Sequence, residues 1–343
     1  MYLFLCSAEP NEILATLKPQ WNEKTRNSLK DKLSILHFQL SSVFPWENEL
    51  SAGIDYEKFL ESFFIQPDLF LRIRPGNEER VKQKLIRTGI EFETISSTCL
   101  AIANTSKIDE VIELDKEAVV QDYSSQRVME LFPVRPGKSV FPVRPGRSVF
   151  PVRQHPVRPG RSDRVWDCCA GSGGKSIMAF DLNADIELTV SDVRESILAN
   201  LKKRFKKAGI KKYHSFITDL THSPLTPGGF RDPGSPFEII IADMPCTGSG
   251  TWSRTPEQKY FFKPEKIDEY ASLQRKILAN VIPYINSGGY LLYITCSVFR
   301  KENEAIIDYG KENFNLQILN MELLSGYDKK ADTMFAALLQ KEL

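Results

Sequence analysis

From Arg164 to the C terminus the chain alternates between short apolar runs and amphipathic helical patterns, and this alternation limits the fold more than any other feature. "RVWDCCAG" predicts a strand entering a glycine loop, "GGKSIMAFDL" the helix behind it, and "IELTVSDV" a second strand. "ESILANLKKRFKKAG" predicts the next helix and "YHSFITDL" a third strand. "FEIIIADMP", "IDEYASLQRKILANVIPYI" and "GGYLLYITCS" then read as strand, long helix and strand, followed by the helix "ENEAIIDYGKEN" and a closing strand "MFAALLQK". Strands joined by helices pair in parallel through crossovers, so the pattern predicts a doubly wound α/β domain with a mainly parallel sheet. Ligand loops then belong at the C-terminal ends of the strands.

Upstream, residues 1 to about 60 read as helical and amphipathic, with Leu29, Leu33, Leu36 and Leu40 at helical spacing. This segment reads as a packing or docking module without chemistry of its own. Between Asp68 and about Val120, "LFLRIRP" predicts a strand, "NEERVKQKLIRTG" a helix, "TCLAIAN" another strand and "SKIDEVIEL" a short helix. Such a small α/β unit is either an RNA-binding subdomain or a structural cap. Next come "FPVRPGKSV" and "FPVRPGRSV", a nine-residue tandem repeat that decays after two further partial copies. Proline at this density forbids a helix and removes ladder donors from a strand. The segment reads as an extended basic loop, either a tolerated expansion or an RNA-touching arm.

The 343 residues allow two domains, and 42% apolar with 26% charged residues is ordinary for a soluble globular chain. No apolar run approaches bilayer length, and "MYLFLC" is too short and lacks the basic flank of a secretion signal. The expectation is a cytoplasmic protein with no membrane partner. Six cysteines and four scattered histidines match no zinc spacing and are too sparse for a disulfide scaffold, so no metal is expected. Net charge is only +1, yet Arg127–Arg164 carries nine Lys or Arg against two acids, and Asn200–Lys212 carries seven against none. Two basic runs flanking a ligand loop point to a polyanionic partner.

The loop "CCAGSGGKS" is neither of the common phosphate cradles. A Walker A loop needs glycine where Cys169 stands, and the dinucleotide pattern needs its third glycine at Ser176. What remains is Asp167 at a strand end, then Cys169, Ala170, Gly171, Ser172, Gly173 and Gly174 leading to Lys175 at a helix start. Glycines there let a ligand approach the backbone closely. Asp192 ends the second strand, placed to accept from two ribose hydroxyls, and Asp219 ends the third, placed to reach an adenine amino group. Acids on successive strands beside a loop without a phosphate signature suit an adenosyl ligand lacking phosphate, which S-adenosylmethionine is.

Two further loops carry thiols. Asp243, Pro245 and Cys246 follow the fourth strand, and Cys296 follows the fifth. Amino-group methyltransferases carry an aromatic residue where Cys246 stands, so a nucleophile implies a different target. Carbon-5 of a pyrimidine is too weak to attack a methyl sulfonium unaided, and a thiolate adding to C6 activates it. One thiol, one acid and one base are the minimum set, and Cys296, Asp243 and Cys246 can supply it. Cys168 and Cys169 read as small packing residues.

"VWDCCAGSGGKS", "SDVRESILANL", "DMPCTGSGTWSRTPE" and "LLYITCSVFRKENE" resemble the successive motifs of the RsmB-like RNA cytosine-C5 methyltransferases (the Sun and nucleolar-protein type), and "VVQDYSSQRV" resembles the Q-D-x-x-S-Q element before their first strand. The likeness runs from about Pro67 to the C terminus. It implies a Rossmann-like S-adenosylmethionine-dependent domain with a sheet of the seven-stranded type, acting as a monomer on structured ribosomal or transfer RNA. It also implies Cys296 as the nucleophile on C6, Cys246 in adduct breakdown and release, Asp243 on the cytosine edge and in the cofactor site, and Lys175 ordering the active-site loop. Asp192 and Asp219 would hold ribose and adenine. The domains are then 1–60, a helical segment; 61–118, the small α/β unit; and 119–343, the catalytic domain interrupted by the repeat at 132–162. Two positions depart from the family: Gly171-Ser172 replaces Ala-Pro or Ala-Ser, and Ile197 stands where a basic residue is usual. The alternative is an RNA-binding assembly factor that kept the fold without turnover, which the intact Cys246, Cys296 and Asp243 argue against.

Overall fold

The computed structural model describes residues 1–133, 162–222 and 236–342. Most of the nine-residue repeat lies outside these residues. The N-terminal segment holds α1 (Tyr2–Cys6), α2 (Glu12–Leu17), α3 (Pro19–Asn22), α4 (Leu29–Ile35) and α5 (Tyr56–Ser62). The expected leucine-spaced helix stops early. His37 takes a left-handed backbone (φ 50°), so Leu40 starts a separate 3-10 turn rather than a further turn of α4. Phe44, Trp46, Phe59 and Phe63 from this segment pack on Trp252, Phe262 and Phe299 farther along the chain.

A small sheet follows, from β1 (Leu69–Ile73), β2 (Phe92–Ser96), β3 (Cys99–Ile102) and β4 (Ala118–Val120), with α6 (Glu78–Arg87) between β1 and β2. Its order is β2-β3-β1-β4 and every pairing is antiparallel. Val119 and Val120, read from sequence as the head of the catalytic segment, pair here with Arg72 and Leu71. The expected helix in "SKIDEVIEL" is only a 3-10 turn, Ile108–Glu110. Side chains alternate across β1. Leu71 and Ile73 pack with Val81 and Leu85 of α6, while Arg72 and Arg74 turn the other way.

After α7 (Tyr123–Arg127) the second sheet begins. It contains β5 (Arg164–Asp167), β6 (Glu187–Asp192), β7 (Tyr213–Ile217), β8 (Phe237–Asp243), β9 (Ile285–Thr295), β10 (Leu316–Leu324) and β11 (Met334–Lys341). The helices of this part are α8 (Gly174–Leu182), α9 (Glu195–Ala208), α10 (Pro256–Tyr260), α11 (Glu265–Val281) and α12 (Glu304–Phe314). Strand order is β10-β11-β9-β8-β5-β6-β7, parallel from β9 to β7 and antiparallel at β11. The expected Rossmann-like, mainly parallel α/β architecture is what forms. Val165, Ile239 and Ile241 face α8 and α9 through Ile177, Leu201 and Phe205. Trp166, Ile240 and Ala242 face α11 and α12 through Ala271, Leu278 and Ile306. Because β5 pairs with both β6 and β8, the winding reverses there and opens a crevice at the strand ends.

The small sheet is tied to this layer through Asp181. Asp181, near the end of α8, accepts from Arg72 Nη1 (2.6 Å) and from Arg74 Nη2 (2.7 Å), all three side chains being buried. Arg74 Nη1 also donates to the carbonyl of Ala208 at the end of α9 (2.8 Å).

Candidate active site

The crevice between β5 and β8 is lined at its floor by the last residues of both strands. Asp167 ends β5 and is fully buried. Ser176 Oγ donates to its Oδ2 (2.5 Å), and its Oδ1 has no partner among the described residues. Burial pushes the Asp167 carboxyl up to about 7, helped by the charge of Asp243 and opposed by the Ser176 bond. Asp243 ends β8, and Lys175, in the first turn of α8, reaches it with Nζ at 2.9 Å from Oδ2. Burial alone would lower the Lys175 pKa, but the charges of Asp243, Cys296 and Asp167 and the bond to Asp243 raise it.

The glycine loop is held by its own backbone. Ala170 N donates to Ser191 O (2.9 Å) and Gly171 N to Asp192 Oδ2 (3.0 Å), which ties the loop to the end of β6. Gly173 has φ +85°, and a Cβ there would meet the Phe205 ring at 2.8 Å, so both conformation and space require glycine. Ser172, one of the two departures from the family pattern, accepts from Arg204 Nη1 through both its carbonyl (2.9 Å) and its hydroxyl (2.8 Å). The other end of the Arg204 guanidinium binds Asp115 beside the small sheet (2.7 Å). Asp192 also accepts from Arg194 through N, Nε and Nη2 (2.9–3.1 Å). Burial would raise its pKa, but these bonds and Gly171 N–H hold it below the usual carboxylate range.

The two thiols meet. Cys246 Sγ and Cys296 Sγ lie 3.4 Å apart, both half-buried and both free rather than bridged. The loops that carry them are stitched by backbone and hydroxyl groups. Met244 N bonds Ile294 O (2.8 Å), Gly250 N bonds Cys296 O (2.9 Å) and Val298 N bonds Ser249 Oγ (2.9 Å). A Cβ on Gly250 would stand 2.0 Å from Thr333 O, so this approach excludes any side chain. Beneath them lies Glu302, fully buried, bound to Thr247 and Ser297. The Cys246 thiol is pushed well above its ordinary pKa by its bond to Cys296, with burial and the Glu302 charge adding.

Of the residues singled out in sequence, Lys175, Asp243, Cys246 and Cys296 converge at the ends of β8 and β9, and Cys169 to Gly174 form one loop against Asp192. Asp219 stands apart. It is exposed, two residues beyond β7, and its carboxylate binds Thr221 N and Oγ1 (2.9 and 2.7 Å) rather than any glycine-loop residue. Sequence reasoning gave no role to Glu302, Arg204 or the cluster where Arg254 Nη2 reaches Asp122 Oδ2 (2.8 Å) and Asp332 Oδ1 (3.2 Å). Glu302 was legible in part, as an acid in the segment after Cys296. Arg204 was hidden among seven basic residues.

This strand-end arrangement coincides with a family match over residues 155–339, described as 16S rRNA methyltransferase RsmB/F. The chain belongs to the RsmB/F methyltransferase family. Ribosomal RNA small subunit methyltransferase B of Enterobacter sp. (strain 638) is 31% identical over 152 residues, which is 43% of this chain and 33% of that protein. The same-named protein of Shewanella oneidensis is 30% identical over 147 residues, again 43% and 33%. The match thus spans about a third of the length of these curated relatives. Among solved structures, a methyltransferase homologue from Pyrococcus horikoshii superposes with a TM-score of 0.65 at 20% identity, covering 91% of this chain and 98% of that one. NSun6 from the same organism, solved with SFG, gives 0.64 at 13% identity, covering 88% and 96%. These likenesses establish the Rossmann-like methyltransferase fold. Among the described residues no helix is long and apolar enough to cross a membrane, and no group of His, Cys, Asp and Glu could hold a metal ion.

Proposed function

We propose that this protein methylates carbon-5 of a cytosine in RNA, using S-adenosylmethionine and a transient covalent bond between Cys296 and C6 of the base. The carrying observation is the pair of free thiols 3.4 Å apart beside the Lys175–Asp243 pair, on a methyltransferase fold. Family membership and the names of the curated relatives favour ribosomal RNA as substrate, with transfer RNA the other structured candidate. The base would have to leave its stack to reach sulfurs at the strand ends. The exposed lysines Lys202, Lys203, Lys206 and Lys207 of α9 offer a surface for phosphates. The reading includes action in the cytoplasm as a monomer.

The residues present fit the cofactor. Gly171 and Gly174 leave open space beside the loop backbone, Asp192 lies at the ribose position of such folds, and Asp167 Oδ1 is a buried acceptor without a donor among the described residues, suited to the cofactor ammonium. Asp219 would contact the adenine. S-adenosylmethionine would supply an electrophilic methyl group. Cys296 Sγ bonds C6 and drives the ring electrons toward C5. Asp243, held by Lys175, would hold the cytosine edge. Once C5 carries the methyl group, Cys246, 3.4 Å from Cys296, would assist removal of the C5 proton, whose bonding pair restores the ring double bond as the Cys296–C6 bond breaks and the RNA is released.

Purified protein incubated with radiolabelled S-adenosylmethionine and RNA, followed by nucleoside mass spectrometry, should yield 5-methylcytosine. Cys296→Ala should yield none. Methylation on an exocyclic nitrogen, or full activity in Cys296→Ala, would overturn the reading.

A further inference from the structure

We propose that Glu302 is a positioning residue for the two thiols, its single carboxylate joining the loop of Cys246 to the loop of Cys296. The residues beside each cysteine are its partners. Thr247 N donates to Oε1 (2.8 Å) and Thr247 Oγ1 to Oε2 (2.6 Å), while Ser297 Oγ donates to the same Oε2. Thr247 follows Cys246 and Ser297 follows Cys296, so a shift of the carboxylate is transmitted to both sulfurs through one residue each.

Glu302 is itself fixed. Its carbonyl accepts from the buried Tyr293 hydroxyl on β9 (2.6 Å), and its N–H binds Phe299 O (3.0 Å). The next residue, Asn303, binds Ser297 O through Nδ2 (2.9 Å) and accepts from Thr295 Oγ1 (2.5 Å). Ser51 of the N-terminal segment closes this layer, with Asn303 Nδ2 on its hydroxyl (2.8 Å). Burial raises the Glu302 carboxyl, and the bonds from Ser297, Thr247 and Gln274 oppose that rise. A buried carboxylate whose donors come from both cysteine loops is costly to unpair. It therefore resists separation of the loops more than the Sγ···Sγ contact could.

The consequence for catalysis rests on the methylation reading, but the geometric claim does not, and the test separates them. Glu302→Gln keeps shape and the acceptor for Thr247 N, but its amide nitrogen cannot accept from the two hydroxyls. Diamide oxidises two neighbouring thiols to a disulfide and is reduced to the hydrazine, so the rate at which the Cys246–Cys296 crosslinked peptide appears reports their juxtaposition without RNA. Glu302→Gln should slow that rate at least about tenfold at a temperature where the variant is folded, and should lower kcat with KM for S-adenosylmethionine unchanged. An unchanged crosslinking rate in the folded variant overturns the proposal, because a group serving only stability would leave it untouched. If wild-type protein methylates no RNA and the crosslinking rate still falls, the positioning role stands and the methylation reading fails. Should Glu302→Gln not fold, Thr247→Val removes one donor and leaves the carboxylate. A slowing of about threefold is then expected, and no slowing contradicts the proposal.

Discussion

Asp181 on α8 and Asp167 at the end of β5 are both buried carboxylates, and they are partnered in opposite ways. Asp181 accepts from two buried arginines, Arg72 on Oδ2 and Arg74 chiefly on Oδ1. Asp167 has one hydroxyl on one oxygen and nothing among the described residues on the other. The fully paired group sits at the seam between the two sheets, where it fixes elements. The short-handed one sits at the floor of the crevice, where a bound cation can complete it. Both Asp181 oxygens are thus matched at the seam, although Arg72 Nη2 beside them has no partner among the described residues, whereas one Asp167 oxygen is left unmatched where the proposed chemistry needs a ligand.

Breaking the paired side should have the largest effect on the fold. Asp181→Ala strands two buried guanidinium groups and should cost about 3–5 kcal/mol, read from urea unfolding. A loss below about 1 kcal/mol would show that the seam is held by apolar packing alone.

Asp167→Asn tests the other side. It should weaken S-adenosylhomocysteine binding by roughly tenfold to a hundredfold in calorimetry, the range for a hydrogen bond to a charged group. Unchanged affinity would remove Asp167 from the cofactor site. The same variant has a signature in pH. A carboxyl near 3.8 when unfolded and about 7 when folded stabilises the fold below pH 4, and that contribution is lost as pH rises through 7. Asp332, raised to about 7 by burial and by the charge of Asp122, adds in the same direction. Between pH 4 and 7, wild-type stability should therefore fall with rising pH, and Asp167→Asn should flatten the slope by about 1.4 kcal/mol per pH unit. An unaltered slope would mean that Asp167 is ionised in the fold.

The smallest effect is expected at the surface. Lys206→Glu with Lys207→Glu should lower RNA affinity severalfold at low salt and reduce the salt slope by about two phosphate contacts, with cofactor binding unchanged. No change in salt slope would take α9 off the RNA path.

The strands and helices of the large sheet were legible because their side chains obey one period each, from "RVWD" to "MFAALLQK". β10 was not, since its residues alternate between half-buried and exposed and follow α12 directly. β2 escaped for the same reason, as an edge strand with a mostly open face. At the site, the thiols, Asp243 and Lys175 were legible as residues, because short motifs at strand ends carry them. Their bracing was not. Arg204 reaches Ser172 across 32 positions, Glu302 reaches Thr247 across 55, and Arg72 reaches Asp181 across 109. No local period encodes such pairings; they exist only after the sheet has closed.

The proposed roles of the two thiols, attack by Cys296 and release by Cys246, differ in the adduct that each variant leaves. Cys246→Ala protein mixed with RNA and S-adenosylmethionine should accumulate a protein–RNA band that survives denaturing electrophoresis, and Cys296→Ala should give none. A stable band in Cys296→Ala, with none in Cys246→Ala, would reverse the two roles and contradict the account.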